Sequence, residues 1–387
     1  MAKQIIFCAD GTWNGPGEAN STTDIDSASP QDPVINDEVT NVVKLFVNLR
    51  GQVTAESQAL KNETEMVCKD SAGNVLQVAK YLHGVGDSKN SVSKVLGGVF
   101  GVGVVSRVVR GYTFISRNYE PGDSIHITGF SRGAYTARAL AGMIGKVGLL
   151  NTKNFDPNDK DEAYRRGFEA WVKAKSMNFE GKGVLTNMLT TVAMLAEGVL
   201  SRVSLKPADF VPLVRIRSVG VWDTVGSLGV PDYITGARRD LFSFIDNKLS
   251  PMVDNAFHAM ALDEMRRDFP IDRWDADPRI EEVWFTGAHS DVGGGYPSAE
   301  CGLSDIALNW MMLKLQSAGA LLAEPLVHEP NLAGEGGPDD ETSGGDDAHA
   351  GRVHEIREAR VEPLGAHLLP RHGPGAGVEG RGGPDAE

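Results

Sequence analysis

The chain has 387 residues, 41% hydrophobic and 23% charged, with a formal net charge of −14. Length and composition are those of a soluble globular chain, either one large α/β domain or two ordinary ones. The acidic balance argues against nucleic acid as a main partner and against electrostatic adhesion to anionic membranes, leaving transient apolar contact as the route to a lipid.

Residues 5–9 (Ile-Ile-Phe-Cys-Ala) form an apolar run too short for a signal peptide, and read as a buried strand. Asp10-Gly11-Thr12-Trp13-Asn14 follows as a turn-rich loop, and residues 15–40 read as a long polar surface loop. Residues 41–49 carry apolar positions at helical spacing, with Thr40 as N-cap. Residues 51–75 are polar and ambiguous. A short strand is expected over 77–82, ending in the loop His83-Gly84-Val85-Gly86-Asp87.

A helical region spans 93–117, opening on a cluster of glycines at 97–103. That cluster lacks the order of a dinucleotide fingerprint and is read as close helix packing. Residues 151–210 read as a helical insertion, with an amphipathic helix over 161–175 and a more apolar one over 184–200. It would be either a lid over the site or, as a stripe of Met and Leu more often is, helices packed on the core.

Further along, an apolar strand ends in Asp223, a helix is expected over 256–269, and a strand is expected over 282–287. The last helix is expected over 303–322. From about residue 329 Gly, Asp, Glu, Pro and Ala dominate, a composition that buries too little surface to offset chain entropy. The reading is a domain over 1–328 and a low-complexity, disordered tail over 329–387. The fold class expected is α/β, a mainly parallel sheet with helices on both faces.

Cys8, Cys68 and Cys301 are odd in number and widely spaced, so neither a disulfide framework nor a zinc site is expected. Synthesis in a reducing cytoplasm is expected, with export by a route that needs no cleaved signal left open. No uninterrupted apolar stretch reaches transmembrane length.

The most informative stretch is Gly129-Phe130-Ser131-Arg132-Gly133. An apolar strand pattern runs into it and a helix pattern follows at once, the setting of a G-x-S-x-G nucleophile elbow. A side chain at either glycine would collide with the neighbouring strand or helix. A serine needs a base to take its proton, and that histidine needs a carboxylate to fix its tautomer.

Of nine histidines, those at 328, 348, 354, 367 and 372 lie in or beside the tail. His126 is read as buried on the nucleophile strand and His258 as helical. His83 and His289 lie at strand ends, and His289 alone also follows both the serine and a strand-end acid, giving the order Ser…Asp…His. The acid expected is Asp223. Asp291, two residues from His289, is read as a brace for the glycine-rich loop, and Asp263 as helical and structural. The backbone N–H of Arg132, with that of Gly11 or Thr12, would form the oxyanion hole. No metal or organic cofactor is expected. Asp10-Gly11-Thr12 also matches the end of the D-x-D-G-T signature of haloacid-dehalogenase-type phosphatases, but Cys8 stands where their nucleophilic aspartate would be.

The motifs Asp10–Asn14, Thr40–Val43, Gly84–Gly86, Asn118–Asp123, Gly129–Arg138, Gly220–Gly226, Leu262–Glu264 and Trp284–Tyr296 occur in that order. In this they resemble the uncharacterised α/β-hydrolase family that includes the catalytic domain of bacterial type VI secretion phospholipase effectors. The resemblance covers about residues 3–322. It implies a Ser–His–Asp ester hydrolase of phospholipase A or lipase type, with an ester or phospholipid substrate and a secretion-apparatus or immunity partner. The serine maps to Ser131, the histidine to His289 and the acid to Asp223. The strand count places acid and histidine each about one strand earlier than in many α/β-hydrolases. The tail from 329 does not resemble the family. The competing reading is a non-catalytic binding or effector-associated module on the same fold.

Overall fold

The computed structural model describes residues 2–11, 39–57, 63–84, 100–177, 205–226, 230–231, 238–239, 247–266 and 269–332. The polar stretch 12–38, the expected helix over 184–200, the start of the glycine cluster (97–99) and the tail beyond 332 lie outside the described residues.

The strands are β1 (Gln4–Ala9), β2 (Gln52–Val53), β3 (Glu63–Lys69), β4 (Val75–Leu82), β5 (Ser124–Phe130), β6 (Leu149–Leu150), β7 (Phe210–Val211), β8 (Ile216–Trp222), β9 (Val230–Pro231), β10 (Arg238–Arg239), β11 (Val253–Ala261) and β12 (Ile280–Phe285). The helices are α1 (Asn41–Asn48), α2 (Phe100–Asn118), α3 (Arg132–Val147), α4 (Lys160–Ser176), α5 (His289–Gly293) and α6 (Gly302–Ser317).

Eight strands form one sheet in the order β12-β11-β8-β5-β1-β4-β3-β2. From β12 to β4 every neighbouring pair is parallel, while β3 and β2 pair antiparallel at the edge. β1 lies between β4 and β5, the place of the third strand in the α/β-hydrolase arrangement. The edge strands β2 and β3 follow it in the chain and fill the stretch that the sequence left ambiguous.

Both faces of the sheet are covered, and β1 shows why its run is apolar throughout. Its alternate residues Ile5, Phe7 and Ala9 join a core with Tyr112 of α2, Leu140 of α3 and Trp171 of α4. Ile6 and Cys8 join a second core with Leu45 of α1 and Leu308 and Met311 of α6. A strand buried on both faces keeps no polar alternation. The doubly covered parallel sheet expected from the sequence is the fold observed. Among the described residues no helix is long and apolar enough to cross a membrane.

The expected helix over 256–269 is corrected: residues 253–261 form β11, buried between β8 and β12. His258 therefore lies on a strand, and Asp263 lies in the bend after it. An Ala- and Met-rich run buried on both faces carries no period of two, so helix and strand look alike in sequence. The added strand also changes the count, since His289 now follows the outermost strand β12, the eighth place in the sheet. The turn after β8, which holds Asp223, stays early.

Candidate active site

β5 leads into α3 through a single residue, Ser131, at φ 57° and ψ −122°. A non-glycine residue at positive φ stores on the order of 1–3 kcal/mol of strain and persists only where its surroundings impose it. Here they do. The Ser131 N–H donates to Trp222 O (3.1 Å), and the Ser131 carbonyl accepts from Tyr135 N (3.2 Å) and Val225 N (3.4 Å). The flanking glycines allow the close approach. A Cβ at Gly129 would stand 2.3 Å from the Gly133 carbonyl oxygen, and one at Gly133 would stand 2.1 Å from that of Ala9. The Ser131 side chain makes no hydrogen bond to the helix it caps.

Asp223 follows β8 at φ 35° and is buried. One carboxylate oxygen accepts from Ala261 N (2.9 Å) and the other lies 2.6 Å from His289 Nδ1. The same turn meets the serine, because Trp222 and Val225 are the residues bonded to the Ser131 backbone. His289 opens α5, the short helix after β12. Its ring lies between Phe130, at 4.5 Å between centroids, and Phe269, at 5.0 Å. Phe130 immediately precedes Ser131, so the imidazole sits beside the elbow. With Nδ1–H donated to Asp223, Nε2 is left as the acceptor.

Two features hold His289 in place. Its N–H donates to Glu264 Oε2 at 3.3 Å. Glu264 is itself gripped by Arg266 through both carboxylate oxygens, at 2.9 and 2.7 Å, which pulls its carboxyl down to about 2. Asp291 Oδ2 accepts from Ala288 N at 2.8 Å, so it braces the start of α5 and does not pair with His289. Asp263 likewise ties two loops, accepting from Gly287 N at 2.7 Å.

A buried histidine supports the acid from behind. His258 Nε2 accepts from Thr224 N (3.2 Å), which places its proton on Nδ1, facing Glu282 at 3.4 Å. Burial lowers its pKa and keeps it neutral. His126 is buried between Ser218 (2.7 Å) and Gln4 (2.9 Å), and burial lowers it to about 4.

At the end of β1, Asp10 is fully buried and accepts from Tyr81 OH (2.5 Å), Thr40 Oγ1 (2.9 and 3.0 Å) and Gly11 N (2.6 Å). Burial raises its carboxyl to about 6 against the pull of these donors. Arg107 Nη2 donates to the Asp10 carbonyl at 2.5 Å. Of the expected oxyanion donors, Gly11 therefore directs its amide to the Asp10 carboxylate, and Thr12 lies outside the described residues. Arg132 opens α3, and its amide is one of the N-terminal donors that a helix offers to a partner outside it.

The family model for the type VI secretion phospholipase effector Tle1-like catalytic domain matches residues 3–314. The chain belongs to this family. The match takes in the elbow, the Asp223 turn and α5. An uncharacterized protein of Saccharomyces cerevisiae is 28% identical over 274 residues, covering 69% of this chain and 32% of its own length. An uncharacterized protein from Pseudomonas aeruginosa is similar at 18% identity and a TM-score of 0.39, over 83% of this chain and 46% of its own. The Tle1 effector bound to the VgrG spike of the type 6 secretion system is similar at 17% identity and a TM-score of 0.35, over 78% of this chain and 52% of its own. The chain thus spans about a third of the yeast relative and about half of each solved protein.

Sequence reasoning did not single out Asp10, Glu264, Phe269 or the His258–Glu282 pair as parts of this site. Asp10 and Glu264 did stand in the motifs that carry the family resemblance, a signal of position without a role. Among the described residues no group of three His, Cys, Asp or Glu side chains is placed to hold a metal ion.

Proposed function

We propose that this Tle1-like chain is a serine ester hydrolase of the phospholipase A or lipase type. Ser131 Oγ attacks the acyl carbonyl and passes its proton to His289 Nε2. Asp223 holds the Nδ1 tautomer and stabilises the imidazolium. The negative oxygen of the tetrahedral intermediate is held by the Arg132 N–H together with a second donor, the Gly11 amide being engaged by Asp10. His289 then protonates the leaving alcohol, and water releases the acid from the acyl-enzyme by the reverse relay.

The observation that carries this reading is the 2.6 Å contact of His289 Nδ1 with Asp223, on a turn bonded to both sides of the Ser131 backbone. The Ser131 hydroxyl is not hydrogen-bonded to His289, as is common in unliganded sites, where the contact tightens around substrate. A lipid ester as substrate rests on the family. A secretion-apparatus partner likewise rests on the family.

The test is labelling with a fluorophosphonate probe alongside phospholipid turnover. Wild type should label once and release lysophospholipid and free fatty acid. Ser131→Ala should lose the label and at least ~10³-fold in turnover. Unchanged labelling in Ser131→Ala would exclude Ser131 as the nucleophile, and a wild type that does not label would favour the non-catalytic reading.

A further inference from the structure

Asp223 holds a positive φ of 35° without being a glycine, so its turn must be fixed by its surroundings. The β8–β11 ladder does part of this. Its last paired residues are Trp222 and Ala259, and Asp223 N adds one more bond, to the Ala259 carbonyl at 2.7 Å. Thr224, the next residue, is fully buried, so its amide needs an acceptor inside the protein. It finds one in a side chain, His258 Nε2, at 3.2 Å. The Thr224 carbonyl accepts from Asp272 N at 2.9 Å, so the residue after the acid is tied on both sides.

Only one form of the imidazole can accept that amide: Nε2 bare and Nδ1 protonated. Glu282 Oε1 faces Nδ1 at 3.4 Å and takes its N–H. Arg273 fixes Glu282 in turn, its Nε and Nη2 donating to Oε2 at 2.9 and 2.6 Å. Trp274 packs edge-on against the His258 ring, 5.6 Å between centroids. His258 has no exposed surface, and burial keeps it neutral. A second histidine–carboxylate pair thus stands behind the first. Asp223 sets the tautomer of His289, and Glu282 sets that of His258.

We propose that His258 is a positioning residue for the reaction: through the Thr224 N–H it holds the Asp223 carboxylate on its line to His289, and Glu282 fixes the tautomer that lets it do so. The proposal deepens the hydrolase reading and rests on Asp223 and His289 as acid and base. His258 touches no substrate. A histidine that merely filled space would need neither a bare Nε2 nor a partner on Nδ1.

Three substitutions separate the two roles. In His258→Gln the amide oxygen reaches the place of Nε2 and keeps the bond to Thr224. In His258→Asn the amide is one methylene shorter and stops near the place of Nδ1. His258→Leu keeps the volume and offers no acceptor. The readouts are kinetics on a soluble ester and the far-downfield proton NMR signal of His289 Nδ1–H, identified by its loss in His289→Gln. His258→Asn and His258→Leu should each lose roughly 10- to 100-fold in kcat with KM within about 3-fold, and the signal should shift or vanish. His258→Gln should stay within about 5-fold of wild type and keep the signal. If urea titration finds either losing variant unfolded, the other decides. Wild-type kcat and signal in His258→Asn or His258→Leu, or a His258→Gln as impaired as they are, would overturn the proposal. The signal does not depend on turnover. A wild type that shows it but neither hydrolyses ester nor takes the fluorophosphonate label would refute the hydrolase reading alone, and the signal in the variants would still decide the role of His258.

Discussion

At Asp223 the two carboxylate oxygens have different duties, and that makes an amide substitution informative. Oδ1 accepts the Ala261 N–H and Oδ2 takes the His289 proton. In Asp223→Asn the Ala261 donor would select the amide oxygen for itself, leaving the NH₂ group facing His289 Nδ1. A donor there pushes the imidazole proton onto Nε2, the atom that must receive the serine proton. The expected result is a fall in kcat of about 10⁴-fold with KM little changed. Glu264→Gln keeps an acceptor for the His289 N–H and loses only the ionic part of the Arg266 grip, so its loss should stay within about 10-fold. Kinetics on a soluble ester would show the contrast, and equal losses in the two variants would mean that Asp223 only holds its loop.

One helix carries both a position that admits no side chain and one that invites it. A Cβ at Gly133 would press on the backbone oxygens of Ala9 and Asp10, at 2.1 and 2.5 Å, so β1 or α3 would have to move. Gly133→Ala should cost about 3 kcal/mol or more. Gly142→Ala, with open space around it, should stabilise by up to ~1 kcal/mol through helix propensity. Urea midpoints of the two variants measure the difference, and similar midpoints would refute the tight seating of the elbow. The elbow was legible in sequence because a glycine pair, an apolar run before it and a helical run after it agree. Asp223 and His289 were legible because each closes an apolar run. β11 was not, since burial on both faces removes the alternation that marks a strand. The β2–β3 hairpin was hidden for the opposite reason: as an edge it keeps Glu63, Glu65 and Lys69 along with Met66 and Cys68. Glu264 and Asp10 look in sequence like ordinary polar residues after a strand, and only the packing of distant loops gives them partners.

Two buried titrating groups beside β1 should shape the response of the whole fold to acid, in opposite directions. His126 is held down to about 4 by burial, below its ordinary 6.5. Between those values the unfolded chain binds a proton that the folded chain refuses, so stability is lost as pH falls. Asp10 is held up to about 6, above its ordinary 3.8. Between those values the folded chain binds the extra proton, so stability rises as pH falls. Each effect is worth about 3 kcal/mol at most, and over pH 6 to 4 they largely offset. Replacing one group should expose the other. In His126→Gln the loss of hydrogen bonds to Ser218 and Gln4 lowers stability at pH 7. Relative to wild type, however, the variant should gain about 2–3 kcal/mol on going to pH 4.5. Asp10→Asn should shift the other way by about 2 kcal/mol over the same interval. Urea unfolding of the three proteins at both pH values gives these differences directly. Stability curves for the three that run parallel with pH would show that neither group titrates differently in the folded chain, and would remove Asp10 as a proton-sensitive anchor of the loop beside Ser131.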